Sequence, residues 1–168
     1  MDYFWIRQNR EYLNTPAIEG FYQTMRRKDF RPETAFKIPE KNVVFCSSQK
    51  SLDFLDILDG QVFLVSGMVK HVFEMYERGM SYKFFCCLNN VTGEYGTYYA
   101  PMIPFIDCLA KGRAEKGRTA IWQERIKDRA VFRAENPLQE MVMIRLDVAE
   151  SLLRRRPKGI ELERIILV

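Results

Sequence analysis

The side chains that could carry catalysis are not grouped in this sequence into a recognisable catalytic or metal-binding motif. His71 is the only histidine. It lies between Val69 and Val72 in a segment with helical spacing of apolar residues, which is typical of a packed or surface histidine. Because no second histidine, HExxH motif or CxxC pair accompanies it, the sequence predicts no catalytic residues, no metal site and no cofactor.

A group of acidic residues is the other candidate for metal chemistry. Asp53, Asp56 and Asp59 follow one another at regular intervals, and Glu40 precedes them. A calcium loop needs oxygen ligands at alternating positions, which this spacing does not supply. We therefore interpret these carboxylates as part of a solvated acidic face.

Length and composition favour one domain in a reducing compartment. The chain has 168 residues, of which 47% are hydrophobic and 13% aromatic, enough for one sizeable core. No apolar stretch reaches the roughly 18 residues of a membrane span, and the N-terminus is typical of a strand rather than a leader. We therefore expect a cytoplasmic protein without a membrane association. The cysteines lack metal or disulfide spacing and are expected in the core: Cys46, Cys86, Cys87 and Cys108.

Nucleic-acid binding is an alternative that the charge distribution leaves open. The formal net charge is +4, and the basic excess lies in residues 109–168. Arg154-Arg155-Arg156, Lys158 and the loop 111–118 could form a phosphate-binding surface. Acidic residues interleave with the basic ones, however, and the triple arginine also suits the negative end of a helix dipole. Nucleic acid is therefore the less favoured partner.

Two segments share the same order of predicted elements. In residues 61–88, an apolar run leads to Ser66 as a helix N-cap, and Gly79 ends the helix before a second strand. In residues 141–166, Asp147 is expected to form a capping box with Glu150 at the start of a second helix. These patterns predict an α+β fold, a single domain over residues 1–168, in which a mixed sheet carries two strand-helix-strand units.

The N-terminal portion, residues 1–42, has the least regular pattern. Alternation predicts a strand at residues 2–7, after which prolines interrupt the chain. A short strand is expected at Ala35–Ile38, and Val43–Cys46 is interpreted as a short buried strand. The pattern leaves the structure of residues 9–42 otherwise unassigned.

The aromatic segment from Tyr95 to Phe105 provides the candidate binding residues. Tyrosine and methionine are enriched at protein interfaces, and prolines pre-order a loop for contact. Tyr98 and Ile103 are expected to face inward. The alternative is a core strand flanked by turns. The predicted partner-binding residues are Tyr95, Tyr99 and Met102.

Several short segments between residues 60 and 165 follow one another in an order that resembles a known family. They are Phe63–Ser66 leading into a helix, Asp107-Cys108 after the aromatic segment, Ala130–Arg133, Ile144–Glu150 and Lys158–Leu162. This order is similar to that of the bacterial polymorphic-toxin immunity proteins, a former domain of unknown function of the myxobacterial immunity protein type.

The resemblance implies a function that needs no catalytic residue. An immunity protein of this kind is expected to bind the toxin domain encoded by a neighbouring gene, in the cytoplasm, and to block or inactivate it. The runner-up is a nucleic-acid-associated or regulatory binding module, and the third reading is an enzyme whose residues the sequence does not reveal.

Overall fold

Short strands and four helices alternate along the chain in the computed structural model, which describes residues 1–112, 117–136 and 138–168. The helices are α1 (Phe21–Thr24), α2 (Gly67–Tyr76), α3 (Gln123–Ile126) and α4 (Leu146–Leu153), with 3-10 turns at Arg27–Asp29 and Ala35–Lys37. The strands are β1 (Tyr3–Gln8), β2 (Lys41–Cys46), β3 (Ile57–Leu58), β4 (Leu64–Val65), β5 (Tyr82–Asn89), β6 (Tyr95–Pro101), β7 (Ala120–Ile121), β8 (Val131–Asn136), β9 (Gln139–Arg145), β10 (Ile160–Arg164) and β11 (Ile166–Leu167).

The strands divide between two larger sheets and one small one. The four-stranded sheet has the order β10-β1-β9-β8 and is antiparallel throughout. The five-stranded sheet has the order β2-β5-β6-β4-β3 and is mixed, because β2 and β5 run parallel. Strands β7 and β11 form a parallel pair. The predicted α+β class is confirmed, whereas the single mixed sheet of the prediction is replaced by these separate sheets.

Both predicted strand-helix-strand units are present, one in each larger sheet. The first is β4-α2-β5 and the second is β9-α4-β10. In each unit the two strands run parallel with one antiparallel strand between them, β6 in the first and β1 in the second. The two halves of the chain therefore repeat one arrangement, although the strand inserted into the second unit comes from the far end of the sequence.

The caps of the two long helices differ from each other. The Ser66 side chain accepts a hydrogen bond from the backbone N–H of Val69, so the predicted N-cap of α2 is confirmed. The predicted cap of α4 by Asp147 is wrong, because the helix already begins at Leu146. The Asp147 carboxylate instead binds the guanidinium of Arg145, 2.8 Å away, and stabilises the first turn from inside it.

The N-terminal portion covers one face of the five-stranded sheet, called here the inner face. Ile18, Phe21, Phe30 and Ile38 are buried against inward side chains of β2, β5 and β6. The strand expected at Ala35–Ile38 is wrong, since the Lys37 N–H bonds back to the Thr34 carbonyl and forms a 3-10 turn. Residues 9–40 thus cover a hydrophobic core without adding a strand to the sheet.

A second core lies where α2 and α4 meet the two larger sheets. Val69, Val72 and Phe73 of α2 pack in one cluster with Val148 and Leu152 of α4. Side chains from both sheets complete this cluster, so the helices join the sheets into one body. Within the described residues, no helix has the length and apolar character needed to cross a membrane.

Gly159 offers a test of how closely the second unit packs on the rest of the fold. It has a φ of +74°, and a Cβ there would lie 2.6 Å from Leu55 Cδ2. Gly159→Ala is expected to lower the free energy of unfolding by about 3 kcal/mol, because strain and overpacking add, and the melting temperature by roughly 6–12 °C.

Gly79 provides the matched control for this substitution. It also has a positive φ, +87°, but no atom of the described residues lies within 4 Å of an added Cβ. Gly79→Ala is expected to lower the free energy of unfolding by only about 1 kcal/mol, because it adds backbone strain without a steric contact. Equal losses of melting temperature in the two variants, measured by calorimetry, would show that the Leu55 contact does not constrain this turn.

Candidate functional site

The outer face of the five-stranded sheet, opposite the N-terminal portion, carries exposed apolar side chains. Successive residues of a strand point to opposite faces, and β2 shows this clearly. Val44 and Cys46 are buried, whereas Val43 is 65% and Phe45 46% exposed. The predicted short strand is present, but it is buried on one face only.

Strand pairing aligns these side chains in rows across three strands. Phe45 pairs with Leu88 of β5, which pairs with Tyr95 of β6. Tyr95 is 66% exposed. Side chains in such rows lie within contact distance of each other and form a continuous surface. We call this surface the open face, and it consists of Val43, Phe45, Phe84, Cys86, Leu88, Tyr95 and Thr97.

Helix α2 and the N-terminal portion set the limits of the open face. The Lys70 ammonium of α2 lies 5.0 Å from the ring centroids of both Tyr82 and Tyr99, so the helix covers that end of the sheet. The Tyr99 ring meets Phe84 edge-on at 5.6 Å. At the free edge of β2, the Glu19 N–H donates to the Phe45 carbonyl. The open face is thus a bounded patch on the outside of β2, β5 and β6.

The three predicted partner-binding residues have different positions. Tyr95 lies in the open face, and Tyr99 lies half-buried at its boundary under α2. The expectation that Met102 is exposed is wrong, because it is 2% exposed and packs in the core under the inner face. The chain turns inward after Pro101, where the Met102 N–H bonds to the Ser81 carbonyl. Tyr98 and Ile103 are buried, as expected.

The candidate catalytic and metal-binding residues do not converge. His71 is exposed on α2. Asp56 accepts hydrogen bonds from Ser66 and from the backbone of Lys158, and Asp59 forms an ion pair with Arg10. These two carboxylates therefore join segments of the chain. Across residues 1–112, 117–136 and 138–168, no group of three or more His, Cys, Asp or Glu side chains is arranged to hold a metal ion.

The cysteines are free thiols, and three of the four are buried. Burial raises the pKa of the Cys108 thiol to about 11, so it is protonated at neutral pH and a weak nucleophile. A hydrogen bond with Cys46 and burial both raise the pKa of Cys87. The remaining thiol, Cys86, is half-buried within the open face.

Several basic side chains of the C-terminal segment with the basic excess, residues 109–168, have local partners. Arg125 lies 3.8 Å from Asp107, Arg129 lies 3.6 Å from Glu77, and Lys158 lies 3.5 Å from Asp53. Arg155 donates to the Ser151 carbonyl at 2.7 Å, as expected of a cation at a helix C-terminus. Residues 113–116 of the predicted 111–118 loop lie outside the described residues. The pairing of these charges reduces the positive charge left for a phosphate backbone.

Comparison with known proteins does not assign this chain to a family. No family model matches its sequence, and no curated protein matches it either.

Alanine substitutions at Tyr95 and Met102 are expected to have very different effects on stability. Met102→Ala removes a buried side chain and is expected to lower the free energy of unfolding by about 2–5 kcal/mol. Tyr95→Ala removes an exposed ring and is expected to change it by less than about 0.5 kcal/mol. Urea denaturation measures both variants. A loss at Tyr95 as large as that at Met102 would show that the open face is covered in the free protein.

Proposed function

We propose that this chain is a non-enzymatic immunity protein that binds and neutralises a cognate bacterial toxin domain in the cytoplasm, and that the open face is its contact surface. The observation that carries the binding part of the proposal is the open face itself. Val43, Phe45 and Tyr95 expose apolar surface side by side on a regular sheet. Contiguous exposed apolar patches mark interaction sites, because their exposure to water costs free energy that a partner recovers.

The chemistry of the open face suits a protein partner. Phe45 and Tyr95 lie in one row with Leu88 between them, and aromatic side chains on rigid elements supply most of the binding free energy in many interfaces. Strands of a sheet hold these rings in place, so little conformational entropy is lost on binding. Lys41 and Glu19 lie at the exposed margin and provide polar groups around the apolar centre.

The assignment to toxin immunity rests on the resemblance in element order. The two strand-helix-strand units on which that resemblance depends are both formed. The raised pKa values of the buried Cys87 and Cys108 thiols and the exposed position of His71 agree with a protein that acts by binding. Inhibition by occupation of a toxin's active site needs affinity and shape, and no reactive group in the inhibitor.

Co-expression tests the proposal directly. The chain is produced with the product of its neighbouring gene in a host that this product kills, and survival and co-purification are measured. We expect rescue and a stable one-to-one complex. Rescue without a complex, lethality despite expression of the chain, or a harmless neighbour would each overturn the proposal. An affinity for nucleic acid that falls steeply with salt would favour the alternative binding module.

Substitutions on the open face test the contact surface separately from the function. Phe45→Asp and Tyr95→Ala are expected to raise the Kd for the toxin domain at least tenfold, because each removes an aromatic anchor worth about 1.4 kcal/mol or more. Phe36→Asp is the matched control, since Phe36 is an exposed aromatic in the N-terminal portion on the other side of the sheet. Calorimetric titration measures all three. If Phe36→Asp weakened toxin binding as much as the other two substitutions, or if those two had no effect on the Kd, the open face would not be the contact surface. The immunity function would still hold as long as the wild-type chain rescues the host.

A further inference from the structure

A pocket of about 460 Å³ lies between the two larger sheets and shares no residue with the open face. Strand β1 contributes Trp5 and Arg7 to its wall, and β8 contributes Arg133. The opposite wall comes from the segment around Phe63 and from Ile103, just beyond β6. A cavity of this size is within the range of small-molecule sites.

Arginine dominates the charged lining of the pocket. Four arginines face three carboxylates there, and two of the arginines have a close carboxylate partner. Arg7 lies 2.6 Å from Glu161, and Arg10 lies 2.6 Å from Asp59. The other two, Arg27 and Arg133, are poorly compensated, and they give the pocket its anion-binding character.

Arg133 is a buried cation whose donors are mostly unused. The residue is 5% exposed, and its Nε and Nη2 atoms have no hydrogen-bond partner among the described residues. Its Nη1 atom has two long contacts, 3.4 Å to Glu140 and 3.5 Å to the Phe30 carbonyl. Glu140 is also shared with Arg31, at 3.6 Å. Buried polar groups are normally hydrogen-bonded, so these idle donors are the strongest indication of a missing ligand.

Arg27 provides a second guanidinium on the same pocket. In the part of the chain that the structure describes it forms no ion pair, its Nε has no partner, and its Nη2 lies 3.4 Å from the Asp59 carbonyl. Burial lowers the pKa of Arg133, and the nearby charge of Arg31 lowers it further, which shows the cost of burying this cation. An oxyanion would offset that cost, because a guanidinium binds carboxylate and phosphate oxygens in pairs.

We propose that this pocket binds a small organic anion, with its carboxylate or phosphate group on Arg27 and Arg133 and its apolar body against Phe63 and Ile103. The anion replaces the two long contacts of Arg133 Nη1, and the side chain turns its idle donors toward the ligand. Arg7 and Arg10 keep their own carboxylates and serve as walls. The proposal uses none of the residues of the open face and does not depend on toxin binding.

Titration with simple probes tests this site in the full-length protein. Benzoate and phenyl phosphate are titrated by calorimetry at constant ionic strength, with orthophosphate and sodium chloride as comparisons. We expect at least one of the two aromatic anions to saturate a single site below about 10 mM, and to bind at least tenfold more tightly than orthophosphate. Preference for one of the two identifies the headgroup as carboxylate or phosphate.

Arg27→Gln and Arg133→Lys are the informative variants. Arg27 forms no ion pair within the described residues, so Arg27→Gln is expected to leave the melting temperature near that of the wild type while raising the Kd at least tenfold. Arg133→Lys keeps the charge but loses the fork and is expected to weaken binding similarly. Arg154→Gln, at an exposed arginine beyond α4, is the control and should leave the Kd within about twofold.

Two results would overturn the proposal. Absence of saturation by both aromatic anions up to about 10 mM would exclude a site of useful affinity. Equal Kd values for the wild type, Arg27→Gln and Arg133→Lys would show that any anion bound lies elsewhere on the surface.

Discussion

The carboxylate of Asp56 joins the two strand-helix-strand units, and the arrangement of the rest depends on that junction. One oxygen accepts a hydrogen bond from the Ser66 hydroxyl at 2.6 Å, and the other accepts one from the Lys158 N–H at 2.6 Å. The Asp56 N–H also donates to the Lys158 carbonyl. Ser66 caps α2, and Lys158 lies in the turn before β10. A single side chain therefore joins the start of α2 in one unit to the turn between α4 and β10 in the other. Asp59 makes a similar link, because it exchanges hydrogen bonds with Gln8 at the end of β1.

This junction helps to explain which surfaces stay exposed outside the hydrophobic core. Helices α2 and α4 contact each other and bury a shared cluster together with side chains of both larger sheets. Helix α2 covers the Tyr82 and Tyr99 end of the five-stranded sheet, and Val43 and Phe45 of β2 stay exposed beyond it. The same junction brings Asp59 and Gly60 toward β1, which closes the arginine-lined pocket between the sheets. Both candidate binding surfaces are consequences of how the two units meet.

Local signals in the sequence predicted the units well, and non-local pairing limited the rest. The Ser66 cap and the alternation of β1 depend on neighbouring residues, so they are visible in the sequence. The insertion of β1 between β9 and β10 pairs residues such as Ile6 and Val142, which no periodicity links. At the candidate site, the composition of the aromatic segment predicts Tyr95, whereas the interpretation of Val43–Cys46 as a short buried strand leaves Phe45 out. The sequence of β2 does not show that only one of its faces is buried. This becomes visible only when β2 is placed at the edge of the five-stranded sheet.

The two surfaces differ in how the chain tolerates them without a ligand. On the open face, the free-energy cost comes from exposing apolar side chains to water. Pairing of the β2 edge with other strands is limited by the charges of Lys41 and Glu19 and by the hydrogen bond from the Glu19 N–H to the Phe45 carbonyl. In the pocket, the free-energy cost comes from removing arginine side chains from water. Glu161 offsets this cost for Arg7, and Asp59 offsets it for Arg10. The Nε and Nη2 atoms of Arg133 have no such partner among the described residues. Compensation is thus incomplete for Phe45 and Tyr95 on the open face and for Arg27 and Arg133 at the pocket. Exposed apolar groups and unpaired buried donors are tolerated where a binding partner covers or pairs them. We therefore expect binding partners at these places.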